Sequence, residues 1–284
     1  MNYQNIRFPG GRAKALTFSY DDGCRADVRT AKTFTKYGLK GTFNLNNREN
    51  ETRLTRDEVK DLIISKGHEV AIHGAYHRAE GILRPIEGIK EVLDCRRCLE
   101  ERYDMIIRGM AYPNSGIRCF TNGATYENIK NYLTELDVAY ARTLGGDNDM
   151  FRLPSDWHAW MPTAHHNNPN LMEYIDKFLS NNPDEKRRPQ ERFPMLFYIW
   201  GHSYEFDDKN NWELLEEICE KLANRDDIWY ATNIEIYEYV EAYNSLRYSA
   251  HGDMIYNPTL FEIWIDISGK TYSVKPGETL KIEE

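Results

Sequence analysis

The sequence predicts an α/β fold: a distorted (β/α) barrel of about seven strand–helix units, with a small C-terminal antiparallel β appendage. Three observations carry this. Short strand-like apolar runs alternate with helix-period segments, repeatedly and without a long linker. The 284 residues suit one α/β barrel, which runs to ~250 residues, plus a small addition better than two equal halves. The last stretch abandons helical periodicity for strict alternation. An open doubly wound sheet shows the same alternation, so barrel closure is a fold-level expectation from pattern alone. The domain expectation is a catalytic unit over 1–247 and the appendage over 248–284.

Taken in order, Lys14–Tyr20 reads as a strand and Ala26–Tyr37 as a helix closed by Gly38. Gly41–Asn46 is the next strand. Thr55-Arg-Asp-Glu58 is a capping box, whose hydroxyl and carboxylate satisfy free amides at the start of a helix running to Lys66. Gly67 ends that helix, where positive φ is needed. Strand Glu69–His73, helix Ile86–Tyr103, strand Ile106–Tyr112, helix Tyr126–Leu136 and strand Val138–Arg142 follow. An irregular aromatic stretch, Phe151–Thr163, precedes helix Leu171–Leu179, strand Met195–Trp200, helix Trp212–Ala223, strand Ile228–Ala231 and helix Ile236–Tyr243. Phe261–Ile267 then alternates with period two, Ser268-Gly269-Lys270 makes a turn and Lys275-Pro-Gly-Glu278 another, and together they make the appendage.

Composition narrows the function. With 41% hydrophobic and 13% aromatic residues the chain can bury a core. Lys and Arg number 36 against 45 Asp and Glu, a net charge of −9, and Lys186-Arg187-Arg188 is the one basic tract, so a nucleic-acid partner is not expected. The opening residues show no charged n-region followed by an apolar h-region, and no apolar run approaches the ~20 residues of a membrane span. Five cysteines do not form a disulfide framework. The expectation is a cytoplasmic protein with no membrane partner.

In a parallel α/β fold the active site forms at the C-terminal strand ends. Those ends deliver Asp21-Asp22-Gly23, His73-Gly-Ala-Tyr-His77, Tyr112-Pro-Asn-Ser-Gly116 and Gly201-His202-Ser-Tyr-Glu205. His73 and His77 are spaced i, i+4, which in a helical turn sets two imidazoles on one side, close enough to share a metal. A carboxylate from another strand end completes a set suited to a divalent metal, zinc, cobalt or iron, among which the ligands alone do not choose; zinc is the expectation.

In this order the residues resemble the polysaccharide deacetylases, the NodB-homology domain of carbohydrate esterase family four. The family's Thr-Phe-Asp-Asp-Gly matches Ser19–Gly23, and its His-(Ser/Thr)-x-x-His matches His73–His77 with Gly74 at the hydroxyl position. Its closing apolar strand and His match Leu196–His202. The resemblance covers roughly the first 245 residues. It implies that Asp22, His73 and His77 bind the metal, that Asp21 is the general base, and that His202 is the acid protonating the departing amine. A backbone N–H near Asn114 would help hold the oxyanion.

The third motif departs. The family's Arg-x-Pro-Tyr-Gly is replaced by Ala111-Tyr112-Pro113-Asn114-Ser115-Gly116, without the Arg that orients and tunes the base. We expect Arg152, in Phe151-Arg-Leu-Pro154, to supply that cation from another strand end. The fourth motif's Asp and Trp have only a loose counterpart in Ser155-Asp156-Trp157 or Trp160. His165 and His166 are candidates for substrate contact, with a surface turn as the alternative. Tyr204 and Trp160 are the better sugar-stacking candidates, and Trp200 reads as core. Cys95 and Cys98 read as helix packing, Cys24 as a spectator thiol, and His68 and His158 as structural or surface residues.

The function expected is a metal-dependent hydrolase removing acetyl groups from an N- or O-acetylated carbohydrate. One alternative keeps the fold and hydrolyses a cyclic imide or other non-sugar amide, which the missing Arg would fit. Another is a carbohydrate-binding protein without turnover, against which the joint presence of Asp21, Asp22, His73, His77 and His202 speaks.

Overall fold

The computed structural model describes residues 3–145 and 149–282. Its strands are β1 (Gln4–Arg7), β2 (Lys14–Asp21), β3 (Gly41–Leu45), β4 (Glu69–Ile72), β5 (Gly109–Ala111), β6 (Tyr140–Arg142), β7 (Ala164–His165), β8 (Met195–Gly201) and β9 (Ile228–Tyr230). Five short strands close the chain: β10 (Arg247–Tyr248), β11 (Met254–Tyr256), β12 (Ile263–Ile267), β13 (Lys270–Val274) and β14 (Thr279–Lys281). The helices are α1 (Asp27–Lys36), α2 (Arg56–Glu58), α3 (Pro85–Tyr103), α4 (Tyr126–Glu135), α5 (Leu171–Ser180), α6 (Tyr204–Asp208), α7 (Trp212–Leu222) and α8 (Asn233–Asn244).

The main sheet is parallel, in the order β6-β5-β4-β3-β2-β8-β7, with β9 also paired to β2. Every residue of β2 and β8 is buried, as strands covered on both faces must be. β8 occupies one edge of β2 from Lys14 to Tyr20. The other edge is divided: β9 pairs with Lys14–Leu16 and β3 with Phe18–Asp21. The sheet curls as an incomplete barrel, and its strand ends converge on one face.

The larger core packs α1, α3, α5 and α7 against the sheet through residues such as Phe18, Phe34, Val92, Leu99, Phe178, Phe197 and Ile218. A second core sets α8 against β1, β12 and β13 through Phe8, Tyr239, Ile263 and Ile265. The antiparallel appendage is present. The N-terminal strand β1 forms its outer edge, in the order β1-β12-β13, while β10, β11 and β14 make another small sheet.

Some elements differ from expectation. The capping box at Thr55 and Glu58 forms, but the helix it starts widens after Glu58 into a π turn over Val59–Ile63 and tightens over Ile64–Lys66 before Gly67 (φ 76°). The strand expected from Ile106 starts at Gly109, and Ile106 is 75% exposed. β7 and α6 were not anticipated. Two residues leave no alternation to read in β7, and α6 is one acidic turn.

Candidate active site

Asp21 ends β2 with its side chain buried, and the chain then turns through Asp22 (φ 81°) and Gly23 (φ 62°). A Cβ on Gly23 would lie 2.7 Å from the Leu45 side chain, so the left-handed turn and the close approach both require glycine there. His73 follows β4, and the segment to His77 is a loop rather than the expected helical turn, with positive φ at Gly74 and His77. The buried Glu91 of α3 shapes this loop. Its Oε1 accepts from the Tyr76 amide at 2.7 Å and the Arg78 amide at 2.9 Å, and a Cβ on Gly74 would lie 3.0 Å from that oxygen.

The loop brings Asp22, His73 and His77 together, one donor atom from each within 4.8 Å of the others. His77 Nε2 lies 3.4 Å from Asp22 Oδ1, and the two rings stand edge to face with centres 4.8 Å apart. His73 Nδ1 donates to the Ala111 carbonyl at 2.9 Å, which leaves its Nε2 lone pair free to ligate. Burial and the neighbouring His73 push the His77 pKa down, favouring the neutral imidazole that a metal requires. The donor set and its tautomer fit a divalent cation.

Beside this trio, Asp21 accepts from Asn44 Nδ2 at 2.8 Å on Oδ1 and is ion-paired with the buried Arg142 through Oδ2. Burial pushes the carboxyl pKa up. Arg142, with help from His73 and His202, outweighs that and lowers it to about 2. Arg142 also lies against the Trp200 ring, its guanidinium carbon 4.5 Å from the ring centre. His202 Nε2 is 3.8 Å from Asp21 Oδ2, and its Nδ1 donates to Glu205 Oε1 at 3.0 Å. Burial lowers the His202 pKa, but Glu205 and Asp21 more than reverse this, so the ring holds its proton above the ordinary range.

Glu205 is a hub. Its Oε2 lies 3.3 Å from His165 Nε2, 3.0 Å from His166 Nε2 and 2.6 Å from Asn167 Nδ2. Although this cluster resembles a second set of metal donors, the Asn167 amide N–H donates to His165 Nδ1 at 3.1 Å. In the neutral ring the proton is then on Nε2, aimed at Glu205, so the group is a hydrogen-bonded support for His202.

The family model for polysaccharide deacetylase matches residues 9–141. Over those residues, a little under half of the chain, the sequence is similar to the polysaccharide deacetylases. No curated protein matches the chain. Among solved structures, a candidate polysaccharide deacetylase from Mycobacterium smegmatis is similar with a TM-score of 0.58 at 15% identity, over 84% of this chain and 94% of that one. A family 4 acetyl xylan esterase from Clostridium thermocellum, solved with a cobalt ion, has a TM-score of 0.50 at 16% identity over 79% and 91%. A Streptococcus pyogenes deacetylase solved with acetate matches over 45% of this chain at 16% identity and a TM-score of 0.41, and the chain spans about half of its length, 55%. At these identities the likeness is one of fold.

Within this polysaccharide deacetylase fold, Asp21, Asp22, His73, His77 and His202 meet at one face. Asn114 adjoins them: it adopts φ 52° and its Nδ2 donates to the His77 carbonyl at 2.6 Å. Arg152 does not reach them. It is exposed on a separate pocket with Gln4, Asn5, Leu153, Phe193 and Tyr243, and the cation beside Asp21 is Arg142. Trp160 is 1% exposed and packs on Tyr140, Trp157 and Tyr198, so it has no face for a sugar. Asp156 pairs with Lys130 and Tyr126, away from the site. His166 is enclosed between the Tyr20 and Phe206 rings, which excludes substrate contact, whereas His165 is partly open and stands 6.3 Å from the His202 ring. Tyr204 is 38% exposed with its ring 5.1 Å from His202, as a stacking platform requires. His68 and His158 are buried and bonded within the fold.

Arg142, Glu205 and Asn44 were missed as site residues. Arg142 ends a strand that the sequence predicts, so a census of charged residues at strand ends would have included it.

Proposed function

We propose that this protein is a metal-dependent deacetylase acting on an N- or O-acetylated carbohydrate, with zinc as its resident metal. The observation that carries the reading is the placement of Asp21 and His202, 3.8 Å apart, beside the Asp22–His73–His77 trio. A divalent cation on that trio polarises the acyl oxygen and acidifies water when bound. Asp21, held ionised by Arg142, accepts the proton of the attacking water. His202, held protonated by Glu205, donates to the departing nitrogen or oxygen, which would otherwise leave as a high-energy anion. The backbone N–H near Asn114 is the donor we assign to the developing oxyanion, and Tyr204 offers its ring to the sugar.

The cyclic imide alternative drew its support from the missing third-motif Arg. With Arg142 on Asp21 that support falls away. None of the five cysteines is paired. Among the described residues no helix is long and apolar enough to cross a membrane.

The test is acetate release from a panel of N- and O-acetylated saccharides, with chelated protein and with protein resupplied with Zn²⁺ or Co²⁺. Release that disappears on chelation and returns with metal supports the reading. Folded, metal-loaded protein that frees no acetate from any member overturns it.

A further inference from the structure

Glu91 lies on the face of α3 that packs into the core, among Gly88, Val92, Cys95 and Leu99. Its side chain is fully enclosed, and a buried carboxylate is unfavourable unless it is paired and hydrogen-bonded. Packing alone therefore gives no reason for an acid in an apolar helix face. Among the described residues, all of its side-chain hydrogen bonds go to the loop that carries His77. Oε1 takes the Tyr76 and Arg78 amides, and Oε2 takes Arg78 Nε at 3.0 Å, with Nη2 at 2.9 Å. The Glu91 backbone carbonyl accepts from the Ala75 amide of the same loop at 2.9 Å.

His77 requires such support. Its φ of 60° lies in the left-handed region, which a residue with a Cβ occupies only where its surroundings enforce it. The peptide joining His77 to Arg78 is held at both ends, its N–H by Glu91 Oε1 and its C=O by Asn114 Nδ2. Gly74, where the second motif usually carries a hydroxyl residue, leaves the space that the carboxylate fills.

We propose that Glu91 is a positioning residue for the metal site. Together with the Asn114 side chain it holds the His77 backbone where the imidazole completes the trio with Asp22 and His73, and so sets how tightly the site takes a divalent cation. This rests on the metal half of the reading above and not on the substrate.

The test is a Co²⁺ titration of metal-free protein, read by ligand-field absorption, with Zn²⁺ measured by competition against a chelating dye. Glu91→Leu matches the residue in length without an acceptor. It should weaken binding by about ten- to a hundredfold and move the spectrum towards that of His77→Ala. Glu91→Gln, which keeps an oxygen for the two amides, should recover much of the affinity. Asn114→Gly removes the other tie at an exposed position, keeps positive φ accessible and does not endanger the fold; it should weaken binding in the same direction. A residue that serves the fold alone lowers the urea midpoint of metal-free protein and leaves affinity and spectrum unchanged.

Affinity within about twofold of the unsubstituted protein in Glu91→Leu, or a Gln variant no better than the Leu one, overturns the role. Should Glu91→Leu not fold, unchanged affinity in Asn114→Gly overturns it instead. Tight metal binding indifferent to Glu91 removes this inference alone. Unsubstituted protein that binds Co²⁺ no better than His77→Ala removes the metal-dependent reading, and this role with it.

Discussion

Arg142 and Ala111 are register partners on the parallel strands β6 and β5. Side chains at paired positions of a parallel ladder project from the same face, so an Arg at 142 enters the barrel beside the place where the family pattern has its Arg. The motif is therefore complete in space and broken in sequence, which is why reading along the chain led to Arg152 instead. Arg142→Met removes the cation that holds Asp21 ionised, and kcat should fall by ~10²-fold or more with folding preserved, as judged by circular dichroism. Moving the charge back, with Ala111→Arg in the Arg142→Ala background, should recover part of the loss; no recovery would show that position 111 no longer faces Asp21. Glu205 lies one turn beyond His202, near enough in sequence to be suspected but not assigned, because its effect passes through Nδ1 of the acid. On the proposed mechanism His202 acts in its protonated form, so activity declines as pH rises through its raised pKa. Glu205→Gln lowers that pKa, and the alkaline limb of the pH–rate profile should move to lower pH. A limb that stays in place would assign it to another group.

Between elements, the pairing of β7 with β8 seats the imidazole cluster. His165 pairs in register with Trp200, and His166 then folds over Gly201, where a Cβ would lie 2.0 Å from His166 Nδ1. Gly201→Ala should destabilise the protein by ~1–3 kcal/mol in chemical denaturation, the usual range for overpacking. It should lower kcat as well, because the displaced ring disturbs Glu205. The long strands and helices were legible because eight buried residues in β2 or nineteen helical ones in α3 give periodicity room to show. β7 was not, and neither was the non-helical path from His73 to His77, since both are set by tertiary partners, β8 and Glu91. Spacing alone placed the two histidines together correctly but for the wrong local reason.

At the scale of the whole molecule, the two ends of the chain are tied. β1 pairs with β12, and the buried Asp266 of β12 accepts from Arg192 at 2.8 Å and lies 3.4 Å from the buried Arg7. Tyr239 of α8 links them again, donating to the Arg7 carbonyl at 2.8 Å and accepting from the Trp264 amide at 3.0 Å. Asp266→Ala leaves two buried guanidinium groups short of an acceptor and should cost ~3–5 kcal/mol by urea titration. If it costs under ~1 kcal/mol, water reaches those groups and the junction is looser than drawn. The appendage was visible in the sequence as alternation, but its partner strand was not. Four residues at the N-terminus carry no signal until β12 is beside them.

The ion pair between Arg142 and Asp21 joins strands that stand four places apart in the sheet. Along a flat sheet that separation would be ~19 Å, at about 4.8 Å per strand, well beyond the reach of any side chain. The pair is thus a chord drawn across a curve. The carboxyl ends of β2 and β6 meet there, and a residue on β6 can stand in for a residue on its neighbour β5. Such a geometry lets the parts of one site sit on different strands without leaving the site. A search that demands the cation in its usual segment passes over Arg142.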